Sequence, residues 1–341
     1  MSDLPLPRAD TRPLPRPALR PLLPGLGLAA AIALTAIAVQ RLSGIAALSP
    51  LMAAMVIGMG LRNSTGIPRT MAPGIGFALK RLLRLAIVLL GFQLTLAQIG
   101  EIGLRGAAVV VLSLGATLVF TKAMGRVLGV EPRLAELIAA GSSICGASAV
   151  IACNTVTRGR DEDVAYAIAC VTVFGSLSMM LFPLLAGPLG LSPQDYGLWA
   201  GATIHEVAQV VGAAFSGGEA AGHAGTIAKL SRVILLAPVI LSLGMMARRR
   251  AGAEPGATVP VPWFVLGFAA VVAANSLIPL PAGLQAPVAS LTTFLLAMAL
   301  AAMGLETDIA KLRREGLRPL LLGALAWIFI SLAGLGLVLL L

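Results

Sequence analysis

Two short stretches of this chain combine residue types that are costly inside a membrane and useful for chemistry. Residues 141–150 read Gly-Ser-Ser-Ile-Cys-Gly-Ala-Ser-Ala-Val, and residues 201–210 read Gly-Ala-Thr-Ile-His-Glu-Val-Ala-Gln-Val. In the first, two glycines and three serines within eight residues let a helix unwind at mid-membrane depth. Freed N–H groups at a half-helix N-terminus, with the hydroxyls of Ser142, Ser143 and Ser148, would then seat an anion. Cys145 and Gly146 lie within that stretch, and Asn154 follows close enough to line the same cavity. Close helix packing is the competing reading, since Gly141-x-x-x-Cys145 and Ser142-x-x-x-Gly146 place small residues one turn apart.

In the second stretch, His205 and Glu206 are adjacent and would stand about 100° apart on a helix. Gln209 falls one turn from His205, and Thr203 repeats the hydroxyl of Ser143. An imidazole beside a carboxylate suits a coupling proton or a cation. A buried polar cluster that ties helices together is the alternative. The run His205-Glu206-Val207-Ala208-Gln209 also looks like the start of a zinc peptidase motif, but glutamine stands where the second histidine is required. The other histidine, His223, falls in a Gly-rich stretch that reads as a loop. Neither a metal nor another cofactor is expected, and no nucleotide loop or nucleophile–base pair suggests an enzyme.

Other polar residues are weaker candidates. Lys229 and Arg232, three apart, read as opening a span near the membrane surface, where they would attract an anion or snorkel to headgroups. Glu136, Gln93 and Glu306 lie toward the ends of spans. Asp161-Glu162-Asp163 beside Arg158 and Arg160 reads as a solvated loop. Cys145, Cys153 and Cys170 lie in or beside apolar runs and read as packed thiols.

The elements that must hold these residues are set by composition. Hydrophobic residues make up 58% of the 341-residue chain and charged residues 12%, with a mean hydropathy of +0.94. A soluble chain carries roughly twice that charged fraction. Apolar runs of about 20 residues, each able to cross a hydrocarbon layer about 30 Å thick, recur throughout. In lipid every backbone polar group must be paired within its own segment, so these runs are helices. The expected fold is an all-α polytopic membrane protein of about eleven spans: 22–40, 45–61, 75–98, 104–121, 135–155, 163–187, 195–215, 226–247, 261–279, 287–305 and 319–340. Residues 1–21, with six prolines and four arginines, read as a disordered cytoplasmic tail ahead of a single transmembrane domain, 22–341. The net charge of +10 sits at helix ends with no soluble domain to carry it, which excludes nucleic acid as a partner. With the N-terminus inside, 19 basic residues fall on the cytoplasmic face and 6 on the other. That bias places the N-terminus in the cytoplasm and the C-terminus outside.

Internal similarity suggests inverted repeats. Residues 82–106 align with 295–319 at an offset of 213, pairing Gly91 with Gly304 and Gly103-Leu104-Arg105 with Gly316-Leu317-Arg318. Upstream, Asn63-Ser64 echoes Asn275-Ser276. The third and tenth spans are seven apart and so run in opposite directions, as in secondary transporters built of two opposed halves, here 22–155 and 195–341. The two polar stretches align at an offset of 60, yet as the fifth and seventh spans they would run parallel, at odds with an inverted pair of discontinuous, crossed helices.

The runs GSSICGASAVIA at 141–152 with Asn154, GATIHEVAQVVGA at 201–213, PLMAAMVIGMGLRN at 50–63 and LGFQL at 90–94 resemble the YeiH-type family of bacterial membrane proteins, which carry the label of sulfate exporters. The resemblance covers nearly everything after the tail. It implies an inner-membrane secondary transporter with a fold related to inverted-repeat antiporters and bile-acid-type symporters. The expected function is export of a small anion, sulfate or a sulfonate, with Ser142, Ser143, Cys145, Gly146, Ser148, Asn154, Thr203 and Gln209 at the substrate. His205 and Glu206 would couple transport to H⁺ or Na⁺. A cation/proton antiporter is the alternative, and a non-transporting membrane protein or membrane enzyme a more distant one. Beyond the anion, the coupling ion and the lipid bilayer, a homodimer is the one further partner considered.

Overall fold

The computed structural model describes residues 20–43, 49–236, 238–240, 242–243, 245, 263–308 and 316–341. The tail up to residue 19 and the basic clusters at 248–250 and 311–314 lie outside the described residues, while Arg20–Leu22 form a 3₁₀ turn leading into the first helix. Among the described residues all regular structure is helical. Among those residues, six helices are long and apolar enough to span a membrane by themselves. The protein is an all-α polytopic membrane protein.

The chain opens with α1 (Leu23–Ser43) and α2 (Pro50–Ser64). It continues through α3 (Ala72–Phe77) and α4 (Leu83–Leu90), made one rod by the π-helical turn Ala78–Leu82. Next comes α5 (Leu96–Val127), whose membrane portion starts at Gly103. The fifth apolar segment is two helices, α6 (Pro132–Ser143) and α7 (Ala147–Thr157). An unbroken α8 (Asp161–Ala186) follows, then a second divided segment, α9 (Pro193–Thr203) and α10 (Val207–Ser216). The chain ends with α11 (Glu219–Ile234), α12 (Trp263–Leu277), α13 (Ala282–Glu306) and α14 (Leu317–Leu340). Proline in the first turn starts α2, α6 and α9, where its missing N–H costs nothing. Glu131 caps α6 by accepting from the Leu134 N–H at 2.9 Å, and Ser192 caps α9 through the Asp195 N–H at 3.1 Å. The Asp161-Glu162-Asp163 run is the first turn of α8, not a loop. Asp163 is buried there, accepting from the Arg160 backbone at 3.0 Å and from its guanidinium.

These helices sort into two bodies. α1, α2, α3–α4, α12 and α13 pack on one another as a panel, while α5 through α11 and α14 form a core bundle. The 213-residue repeat runs through both. Gly304 lets α13 close on the Met55 carbonyl of α2. Its mate Gly91 lies where an added Cβ would meet the Phe268 carbonyl of α12 at 2.9 Å. Met55 and Phe268 are themselves 213 apart. Asn63 donates to the Thr307 carbonyl at 2.9 Å, and Asn275 donates to the carbonyl of Leu94, the mate of Thr307, at 3.0 Å. The Gly-Leu-Arg pair also has a structural cause. Gly103 and Gly316 both take positive φ (52° and 98°), the first at the kink where the membrane portion of α5 begins and the second where the chain turns into α14.

Candidate functional site

The two polar segments are hairpins. Were α6 and α7 one straight helix, Arg133 and Arg158 would stand about 37 Å apart. Instead the Arg133 guanidinium donates to the Arg158 carbonyl at 3.1 Å, and the Thr157 hydroxyl to Glu136 at 3.0 Å. In the second segment the Tyr196 hydroxyl donates to the Ala213 carbonyl at 2.8 Å, which brings the start of α9 to the end of α10. Each segment therefore dips to mid-depth, turns, and leaves by the face it came from. The fifth and seventh segments are not crossings. Because the unbroken α8 separates them, the hairpins enter from opposite faces and are antiparallel, which removes the conflict that counting them as spans creates. Both turns fall 60 residues apart at every landmark. α6 and α9 end at Ile144 and Ile204, and α7 and α10 begin after Gly146 and Glu206. One consequence is that Arg158 and Arg160 share the face of Arg133.

At the tips, four helix ends meet. The final carbonyls of α6 and α9 carry partial negative charge and have no helical partner. Two cations from α11 take them. Lys229 Nζ donates to the carbonyls of Ile144 (3.0 Å) and Ile204 (2.7 Å), one from each hairpin. Arg232 donates to the carbonyls of Ala202 (2.5 Å), Ser142 (3.3 Å) and Ser143. Both side chains are fully buried. The N-termini of α7 and α10, with the opposite polarity, share one carboxylate. Glu206 stands at the N-cap of α10, lies against Gly146 at the start of α7 in the other hairpin, and accepts from the Thr172 hydroxyl of α8 at 2.9 Å. Gly146, at φ 68°, makes the space, because a Cβ there would collide with Glu206.

The expected site residues divide. Ser142 and Ser143 are at the crossing, but they offer backbone carbonyls to a cation; the Ser143 hydroxyl turns back to the Ala139 carbonyl at 2.5 Å. Cys145 is buried in the turn as a free thiol. Ser148 is exposed on the outer side of α7. Asn154 lies at the far end of α7, where it accepts from the Gly159 N–H at 2.7 Å, and is remote from the tip. Thr203 is buried and donates to the Trp199 carbonyl at 2.7 Å. His205 sits in the turn itself, not on a helix face shared with Gln209. It is fully buried, and among the described residues neither ring nitrogen has a hydrogen-bond partner. Gln209 is a brace, accepting from the Glu206 N–H at 3.1 Å and donating to the Thr172 carbonyl at 2.9 Å.

Lys229 and Arg232 are the residues whose role sequence reasoning misplaced. Starting the eighth span at 226 put them at its mouth. The helix begins at Glu219, so Lys229 lies roughly 15 Å inside, about half the hydrocarbon depth. Glu219 in a first turn was the available signal. The same extension puts His223 on α11, edge-on to the Phe215 ring, instead of in a loop. Thr172 also went unnoticed, for a lone threonine in an apolar helix gives no signal.

Two cavities of about 250 and 700 Å³ open between the panel and α10–α11, on the face from which the second hairpin enters. Gln93 lines both. Its repeat mate Glu306 is exposed at the opposite end of the panel, within electrostatic reach of Glu206. Neither cavity is lined by residues 141–148 or 201–206.

Opposed re-entrant hairpins and an internal repeat define a multi-pass membrane protein with a charged crossing at its centre. Comparison with known proteins places it further. Residues 24–323 match the family described as conserved hypothetical protein 698. A UPF0324 membrane protein of Pseudomonas aeruginosa is 43% identical over 98% of both chains. One of Agrobacterium fabrum is 39% identical over 94% of both. The UPF0324 inner membrane protein YeiH of Escherichia coli K12 is 37% identical over 91% of this chain and 92% of its own. The chain belongs to this family of membrane proteins. No solved structure matches it.

Proposed function

We infer that the protein is a secondary transporter for a small anion, working in the bacterial inner membrane with its N-terminus in the cytoplasm. The observation that carries this reading is the charge at the hairpin crossing. The partial charges of the two helix C-termini and two N-termini cancel, which leaves two buried cations against one carboxylate. With all three ionised the crossing has a formal excess of +1. Glu306 does not neutralise it, because an exposed carboxylate is screened by water. Opposed hairpins inside a core bundle that meets a separate panel supply the architecture for alternating access. The name of the YeiH relative supports the membrane assignment, and placing Arg158 and Arg160 with Arg133 strengthens the excess of basic residues on the cytoplasmic side.

A cation/proton antiporter is less favoured. The carbonyls that would ligate a cation are already taken by Lys229 and Arg232. Glu206, half-buried and the only carboxylate at the tips, is the residue for coupling. Purified protein in liposomes should move labelled sulfate or a sulfonate in a pH- or Na⁺-dependent manner. A Glu206→Gln, His205→Ala double variant with unaltered ion dependence would remove the coupling role, and absence of any anion flux would remove the transport reading.

A further inference from the structure

We propose that the hairpin crossing holds one monovalent oxyanion of the sulfonate type, contacted by His205 and by the Nε–H of Arg232. The proposal rests on the anion-transport reading and narrows its substrate class. Three polar atoms buried at the crossing have no partner among the described residues: both ring nitrogens of His205 and Nε of Arg232. An unsatisfied donor in such a place is expensive, and native proteins keep few without a use. These atoms belong to one neighbourhood. His205 follows Ile204, whose carbonyl accepts from Lys229, and Arg232 holds the carbonyl of Ala202 in the same tip.

What remains free on these side chains suits a tetrahedral head with three oxygens. The terminal nitrogens of Arg232 give three of their four N–H groups to the carbonyls of Ala202, Ser142 and Ser143, which leaves one Nη1–H and the Nε–H, the latter on a nitrogen with no partner among the described residues. Lys229 has three N–H groups and gives two of them to Ile144 and Ile204. A neutral imidazole adds one N–H. With the two left on Arg232 and one each on Lys229 and His205, four donors remain, enough for the three oxygens of such a head.

Charge then decides between ligands of the same shape. A buried cluster of +1 becomes neutral with a ligand of −1, whereas a dianion would leave a net −1 in a low-dielectric setting. The substrate class is therefore the sulfonates and other monovalent oxyanions, in preference to sulfate.

Methanesulfonate and sulfate share a tetrahedral sulfur–oxygen head and differ in charge, so they make the test. Calorimetry and ligand-dependent thermal shift on the purified full chain at matched ionic strength should show methanesulfonate binding about tenfold tighter or more. His205→Ala should weaken methanesulfonate binding by a similar factor, and His205→Gln, which keeps a donor, should recover part of it. Since the His205 nitrogens hold nothing else among the described residues, both variants are expected to elute as the wild type does on size exclusion. The wild-type comparison of the two anions decides the proposal even if both variants unfold. Equal or tighter binding of sulfate, no binding of methanesulfonate, or an unchanged affinity in a folded His205→Ala protein overturns the seat. Methanesulfonate bound as expected but never moved across liposomes would overturn the transport reading and leave the seat standing.

Discussion

The two hairpins share a backbone plan and differ at one decisive position. Both break at an isoleucine and resume two residues later, but the first resumes after Gly146 and the second after Glu206, its mate 60 residues on. The first hairpin has no side chain of its own at the new helix end. The second supplies a carboxylate side chain, which lies against Gly146 of the first. One acid thus serves two helix N-termini, just as Lys229 serves two C-termini. Two identical tips could not do this: two glutamates would collide and repel, and two glycines would leave both ends bare. The asymmetry makes the crossing a single interlocked unit.

Removing the cation that joins the tips should break the comparison most severely. Lys229→Met takes away two charge-assisted hydrogen bonds and strands a carbonyl in each hairpin, for a loss of about 3 kcal/mol or more, read by thermal unfolding in detergent. Next, Gly146→Ala should destabilise by about 1–3 kcal/mol through its positive φ and the collision with Glu206. In a Glu206→Ala background the collision part should vanish, giving a coupling of about 1 kcal/mol in the double-mutant cycle; strict additivity would mean the two tips do not touch. Thr172→Val, which keeps the shape and deletes the hydroxyl donated to Glu206, should cost about 1 kcal/mol in the same assay. The smallest effect belongs to the mouth of the second hairpin. Asp195→Asn, breaking a partly exposed 2.8 Å ion pair with Arg105, should shift stability by about 0.5 kcal/mol or less.

Much of this was legible beforehand, for separable reasons. Apolar run length located all eleven segments, because lipid imposes one solution on a 20-residue run. The Gly/Ser content of 141–148 correctly marked a broken helix, and the Gly-Leu-Arg echo marked a real turn at Gly103 and Gly316. Whether a broken segment crosses or folds back was not legible. A hairpin of two half-length arms has the hydropathy of one full span, and only contacts such as Arg133 with Arg158 distinguish them. The site was half legible for a similar reason. Polar residues near the tips stood out by type, but it is their backbone that bonds the cations, and backbone carries no sequence signature. Lys229 and Arg232 were misplaced because a soft helix boundary moved them from mid-membrane to the surface.

The last helix carries a consequence for how the chain is made. On α14 the Ser331 carbonyl receives the Trp199 indole N–H at 2.9 Å, Trp327 donates to Ser178 at 2.6 Å, and Gly334 lies against Thr203. Those partners belong to α8 and α9, synthesised more than a hundred residues earlier. Until residues 317–340 leave the ribosome, both hairpins and their buried cations lack one wall. A nascent protein of this kind should hold its charged crossing open to chaperones and membrane proteases until translation is nearly complete, and truncation before residue 317 should yield a degraded product, not a smaller working one.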